Sequence, residues 1–201
     1  DLKGYPISSV CADFMVDENF CDSEYLDKFL RIVCEAVSRN KIRHITIPLL
    51  EKSDVTKDEV RQKFMKVFKP YTEEFKNIQF LIEAELDPDK LIEILNLNTN
   101  IFVTYDTGNI TACELDHQEY IKKLNYRIRQ VHIKDRKKIK KGVYNTVEPN
   151  QGDTDFNLIF KSLKEINFNG LYTLQTARGD DGFETGAIIK HKGIIEGIHN
   201  D

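Results

Sequence analysis

The sequence predicts an α/β fold built on a parallel sheet, either doubly wound or closed into a barrel. Two observations predict it. Short apolar, β-branched runs alternate six times with helical patterns, and no two strand-like runs are joined as a tight hairpin. Four of the runs also end in a metal-capable side chain: FLIEAE, FVTYDTGN, QVHIKDR and YTLQTAR bring Glu83, Asp106, His132 and Gln175 to places where strand gives way to loop. Parallel strands closed into a barrel deliver such ends to one mouth. With 201 residues, 40% of them hydrophobic and 31% charged, the chain can bury one sizeable core, so residues 1–201 are read as one domain.

The elements follow in order. ISSVCADF (7–14) is the first strand, and SEYLDKFLRIVCEAVSRN (23–40) repeats Tyr25, Phe29, Ile32, Val33 and Ala36 at helical spacing. HITIPLL (44–50) precedes a helical pattern from about 56 to 77, with Thr56 as N-cap and Glu59 three residues on. IQFLIEAE leads to DPDKLIEILNL, whose Pro88 suits a first helical turn, and IFVTYDTG leads to LDHQEYIKKLN. RQVHIKDR opens a polar loop, 137–155, long enough to be a lid or substrate loop. Asp155 then stands as a cap before FNLIFKSLKEI. GLYTLQTAR and the helical GAIIKHKGIIEGI close the sixth unit.

Composition narrows the partners. A net charge of −4 and a pI near 5.8 disfavour nucleic acid and anionic membranes. The chain shows no apolar stretch of spanning length and no signal-peptide pattern. Its scattered Cys11, Cys21, Cys34 and Cys113 form no CxxC pair, which fits a reducing cytoplasm. No GxGxxG follows the first strand.

Two carboxylates, an imidazole and an amide carbonyl form a mixed oxygen and nitrogen set suited to Mn²⁺, Mg²⁺, Co²⁺ or Zn²⁺. Glu85 shares the strand parity of Glu83 and is a candidate to hold a substrate hydroxyl or carry a proton; a solvated acid at a strand exit is the alternative. Asp106 precedes Thr107-Gly108-Asn109, where Asn109 can bond a substrate hydroxyl; a structural turn aspartate is the alternative. His132 lies between Val131 and Ile133, and alone it would read as a core histidine. The other three strand ends raise it to a ligand candidate.

In this order and at these intervals, IEAELDP, VTYDTGN, VHIKDR, GDTDF and TLQTAR resemble the xylose-isomerase-like TIM-barrel superfamily, in particular its sugar-phosphate isomerase/epimerase members. The resemblance covers essentially the whole chain. It implies an α/β parallel (β/α) TIM barrel whose metal ligands Glu, Asp, His and Glu come from the fifth to eighth strands. Glu83, Asp106 and His132 match the first three, and Gln175 departs from the fourth. The same alignment makes 7–14 the third barrel strand, so the first two β-α units are missing from this chain. An N-terminally incomplete barrel is expected, or a homo-oligomer in which copies cover each other's open edges.

The implied activity is divalent-metal-dependent isomerisation or epimerisation of a sugar or sugar phosphate, by proton transfer beside a carbonyl through a metal-stabilised enediolate. Glu83 or Glu85 would move the proton. Asn109, Lys134, Asp135, Arg136 and Arg178 would bind substrate, the basic ones taking phosphate or carboxylate. Glutamine cannot accept a proton at neutral pH, so Gln175 favours one-base isomerisation over two-base epimerisation. Two alternatives stand beside this. One is a metal- or sugar-binding barrel that has lost catalysis. The other, more remote, is an apurinic-endonuclease-like phosphodiesterase, for which His44, His117, His132, His191 and His199 are too few.

Overall fold

The computed structural model describes residues 4–17 and 21–200. Contacts group the chain into two compact units meeting between Thr104 and Tyr105. Among the described residues the six expected parallel strands form one sheet in the order Ser9–Cys11, His44–Leu49, Gln79–Ala84, Ile101–Asp106, Ile128–Ile133 and Leu171–Leu174, and Asp135–Lys140 and Val143–Val147 form a separate pair.

The first unit carries β1 (Ser9–Cys11), α1 (Ser23–Arg39), β2 (His44–Leu49), α2 (Asp58–Glu74), β3 (Gln79–Ala84), α3 (Pro88–Leu95) and most of β4 (Ile101–Asp106). Ser9 pairs with His44, His44 with Gln79 and Phe80 with Ile101, all in parallel. Five of the six β3 residues are buried, as expected for a parallel strand covered on both faces. Asp22 caps α1 by accepting from the Glu24 and Tyr25 backbone N–H groups at 2.8 and 3.3 Å. The helix then buries Leu26, Leu30, Cys34 and Val37 along one stripe. Phe64 stacks on Phe68 at 4.9 Å, and Phe68 meets Phe80 edge-on at 5.2 Å, which fastens α2 to β3. The guanidinium of Arg61, almost fully buried, ties α2 to α3 through Glu93 at 3.0 Å while also bonding Asp58 at 2.9 Å.

Two expectations for this unit are corrected. The first strand is Ser9–Cys11, not 7–14; Ala12 still donates to Thr46 O at 2.9 Å, and a 3₁₀ turn over Asp13–Asp17 then ends the extended run. Thr56 does not cap α2. Asp54 accepts from both its N–H (2.8 Å) and its hydroxyl (2.7 Å), so Thr56 is held in a turn and the helix begins at Asp58 without a side-chain cap.

The second unit continues with α4 (Thr107–Ala112), α5 (His117–Leu124), β5 (Ile128–Ile133), β6 (Asp135–Lys140), β7 (Val143–Val147), α6 (Phe156–Glu165), β8 (Leu171–Leu174) and α7 (Glu184–Asn200). Gln130 pairs with Leu171 and His132 with Thr173. Asp155 caps α6, as expected, by accepting from Leu158 N at 2.9 Å. The region expected as a polar loop, 137–155, is corrected: most of it is the antiparallel β6–β7 hairpin, turned at Gly142 with φ +71°. Its lysine-rich first strand is largely exposed and has no apolar alternation, so the sequence carries little strand signal there. No helix among the described residues is long and apolar enough to cross a membrane.

Candidate metal centre

Asp106 is the last residue of β4 and the N-cap of α4, and its two carboxylate oxygens have separate tasks. Oδ1 accepts from Asn109 N at 2.8 Å and starts the helix, so the TGN segment expected as a loop is the first turn of α4. Oδ2 is buried and meets no hydrogen-bond donor in good alignment, although the Lys134 ammonium lies 2.8 Å away as a charge contact. Lys134, just beyond β5, is only 8% exposed, and its Nζ also reaches Asn109 Oδ1 at 3.4 Å.

Gly108 makes this approach sterically feasible. A Cβ there would stand 2.7 Å from Lys134 Cγ and 2.9 Å from Arg136 Cγ. Thr107 fixes the same junction, its hydroxyl donating to Lys134 O at 2.6 Å and accepting from Lys134 N at 2.9 Å.

Glu83 near the end of β3, Asp106 at the end of β4 and His132 near the end of β5 are all buried, and each offers a ligand atom within 4.8 Å of the other two. Two anionic oxygens and an imidazole nitrogen at that spacing fit a borderline or hard divalent cation. The fit is supported by Asp106 Oδ2, a buried oxygen without a hydrogen-bond partner that already draws a positive charge to 2.8 Å. Gln175 lies one residue past β8. Its N–H donates to Ile133 O at 3.0 Å and it shares the strand parity of Thr173, the partner of His132, but its side chain is exposed.

The other residues singled out from the sequence are distributed differently. Glu85 is exposed just past β3, and Arg178 is exposed past β8. Arg136 is half-buried with its Nε lacking a hydrogen-bond partner. Asp135 is fully buried, and its carboxylate accepts from the backbone N–H groups of Gln151 (3.1 Å), Gly152 (2.9 Å) and Thr154 (3.2 Å), closing the segment that follows the hairpin.

Sequence reasoning missed Gln130, buried two residues before His132, whose amide nitrogen lies 3.2 Å from His132 Nε2 and 2.8 Å from Thr173 Oγ1. The spacing of two along one strand was the available signal.

It also set His117 aside. That ring bridges the Tyr105 hydroxyl at 2.5 Å and Thr111 Oγ1 at 3.0 Å. Burial pushes its pKa down from 6.5 to about 4, so the folded protein holds it neutral. Because the unfolded chain binds this proton more readily, His117 contributes stability that is complete above pH 6.5 and is lost as the pH falls toward 4, on the order of 3 kcal/mol. In urea unfolding across that window, His117→Asn is expected to flatten part of the wild-type decline. An unchanged slope would show that His117 is not held neutral.

A family model described as xylose isomerase-like TIM barrel matches residues 6–196. An inosose dehydratase of Clostridium perfringens is 28% identical over 116 residues, a match covering 50% of this chain and only 38% of that protein. Among solved structures, a xylose isomerase domain protein from Planctomyces limnophilus superposes with a TM-score of 0.77 at 14% identity, covering 96% of this chain and 76% of the other. An IolI protein with a bound zinc atom gives a TM-score of 0.73 at 18% identity, covering 89% and 71%. At such identities the structural likenesses establish the fold, and the six-stranded sheet is a partial form of the eight-stranded barrel. The chain belongs to the xylose isomerase-like TIM-barrel family.

Proposed function

We propose that Glu83, Asp106 and His132, with Gln175 as a fourth donor, hold one divalent cation, and that the protein removes a proton beside the carbonyl of a sugar or sugar phosphate as an isomerase or epimerase. The observation that carries this reading is the close grouping of two buried carboxylates and an imidazole at strand ends. A cation bound there supplies Lewis-acid stabilisation of the negative charge that develops on substrate oxygens. Lys134, buried beside Asp106 and Asn109, donates to a substrate oxygen and helps neutralise that charge. Asn109 orients a hydroxyl. Glu85, the next residue of Glu83's parity and exposed, carries the proton between adjacent carbons. Arg178 and Arg136 receive a phosphate or carboxylate through their planar forks.

A second reading is favoured by the curated match to inosose dehydratases. Removal of the same proton can be followed by breaking the C–O bond at the next carbon, with the leaving hydroxide taking a proton to depart as water. Incubating ketoses, their phosphates and inososes with Mn²⁺ in deuterated water separates the outcomes. Deuterium at the carbon beside the carbonyl of recovered or isomerised sugar supports isomerisation or epimerisation, and loss of water with an unsaturated ketone as product supports elimination. Tight Mn²⁺ binding without exchange on any substrate would sink both and leave a binding protein.

Gln175→Glu adds a negative charge and a base. It is expected to tighten Mn²⁺ binding about tenfold at pH 8 and less at pH 5, because a carboxylate ligand must lose its proton to bind. Titration calorimetry at both pH values checks this. Equal affinities for variant and wild type would remove Gln175 from the cation.

A further inference from the structure

His132 is read above as a cation ligand, and a neutral imidazole has one bare nitrogen to give. Which nitrogen that is depends on what holds the other. Nε2 of His132 is 3.2 Å from the side-chain nitrogen of Gln130, which is in turn 2.8 Å from Thr173 Oγ1. An amide NH₂ has two hydrogens, so it can donate to both at once. In that arrangement the lone pair of Nε2 is occupied and the ring proton sits on Nδ1. A cation cannot bind Nδ1 in that tautomer, and at Nε2 it would have to compete with the Gln130 amide.

Rotation of the Gln130 amide by half a turn resolves the conflict. Its carbonyl oxygen then accepts from Nε2–H, and Nδ1 is left bare. Thr173 keeps its bond in both states because a hydroxyl can accept from the amide NH₂ or donate to the amide oxygen. Gln130 is buried at 2% exposure and bonded to that hydroxyl.

We propose that Gln130 is a positioning residue for the metal centre: its side-chain amide, anchored on Thr173, selects the tautomer of His132, and its reversal accompanies cation binding at Nδ1. The proposal rests on the reading of His132 as a ligand.

The test uses protein labelled with ¹⁵N in histidine, with zinc as a diamagnetic probe, at a pH where the ring is neutral. Long-range ¹H–¹⁵N spectra of cation-free wild type are expected to show His132 protonated on Nδ1, and zinc is expected to move the proton to Nε2. Gln130→Met keeps the volume and removes both hydrogen-bonding ends. It should abolish the tautomer preference and weaken zinc at least tenfold, the range seen when a partner of a ligating histidine is lost. Gln130→Glu can accept from Nε2–H but cannot donate to bare Nε2. It should show the Nε2–H tautomer before zinc is added and bind zinc within about threefold of wild type or tighter.

If Met and Glu weaken zinc equally, Gln130 acts only through packing and the proposal is overturned. Unchanged tautomer and unchanged affinity in Gln130→Met would overturn it as well. Should wild type bind no zinc yet keep an Nδ1–H tautomer that Gln130→Met erases, the metal reading fails while the control of the ring by Gln130 stands.

Discussion

Asp106→Asn is expected to leave α4 in place, remove cation binding and destabilise the cation-free protein. Asparagine is as good an N-cap as aspartate, so the bond from Asn109 N survives. The charge that faces Lys134 does not. The Asp106 and Lys134 side chains are 1% and 11% exposed, and removing one member of such a pair leaves a buried charge uncompensated, at a cost of about 3–5 kcal/mol. Affinity for Mn²⁺ should fall by on the order of a hundredfold or more, beyond the effect of losing an outer partner. Adding Lys134→Met to Asp106→Asn should restore most of the stability and none of the metal binding. Urea unfolding and calorimetric titration of the two variants check both halves. Wild-type affinity in Asp106→Asn would exclude Asp106 as a ligand.

Asp135→Ala should be the most damaging change outside the candidate metal site. Three backbone N–H groups of the segment 151–154 converge on this one buried carboxylate, and bonds of this charge-assisted kind are worth about 1.5–3 kcal/mol each. The packing around it is tight, since a Cβ at Gly152 would lie 2.2 Å from Asp135 Oδ1 and 2.6 Å from Arg136 O. A net loss of about 4 kcal/mol or more in chemical unfolding is expected, after water re-enters to satisfy part of the loop. Asp135→Asn should fall between. Were Asp135 instead a substrate-binding group, as its place in HIKDR implies, Asp135→Ala would keep its stability and raise KM.

The legibility of the chain follows the range of the forces involved. Strands β2 to β5 and helices α1, α3 and α6 are written in local periodicity and caps, because Asp87 and Asp155 accept from the first turns of the helices they precede. The start of α2 was misplaced because Asp54 competes for the backbone and hydroxyl of Thr56, and the end of β1 because a 3₁₀ turn over Asp13–Asp17 cuts the extended run short. At the candidate metal site, residue types at strand ends were enough to single out Glu83, Asp106 and His132, which the structure groups. They could not show that Lys134 leans back onto Asp106, which depends on Gly108 leaving room, nor that Gln130 reaches across to Thr173. Hairpin β6–β7 escaped because its first strand is lysine-rich and largely exposed, which leaves the β-branched run of β7 without a recognisable partner.

The parallel pairing of the sheet has a consequence for how quickly the chain can form. His44 touches Gln79 across 35 residues, and Gln130 touches Thr173 across 43. Phe80 pairs with Ile101 across a shorter interval, yet none of these parallel pairs can form without first closing a loop that holds a helix. Helices such as α1 are therefore expected to gather first, and the apolar strands 44–49 and 79–84 to stay unpaired for milliseconds to seconds. During that interval they are open to strands of other molecules, and the yield of refolded protein should fall steeply as its concentration rises.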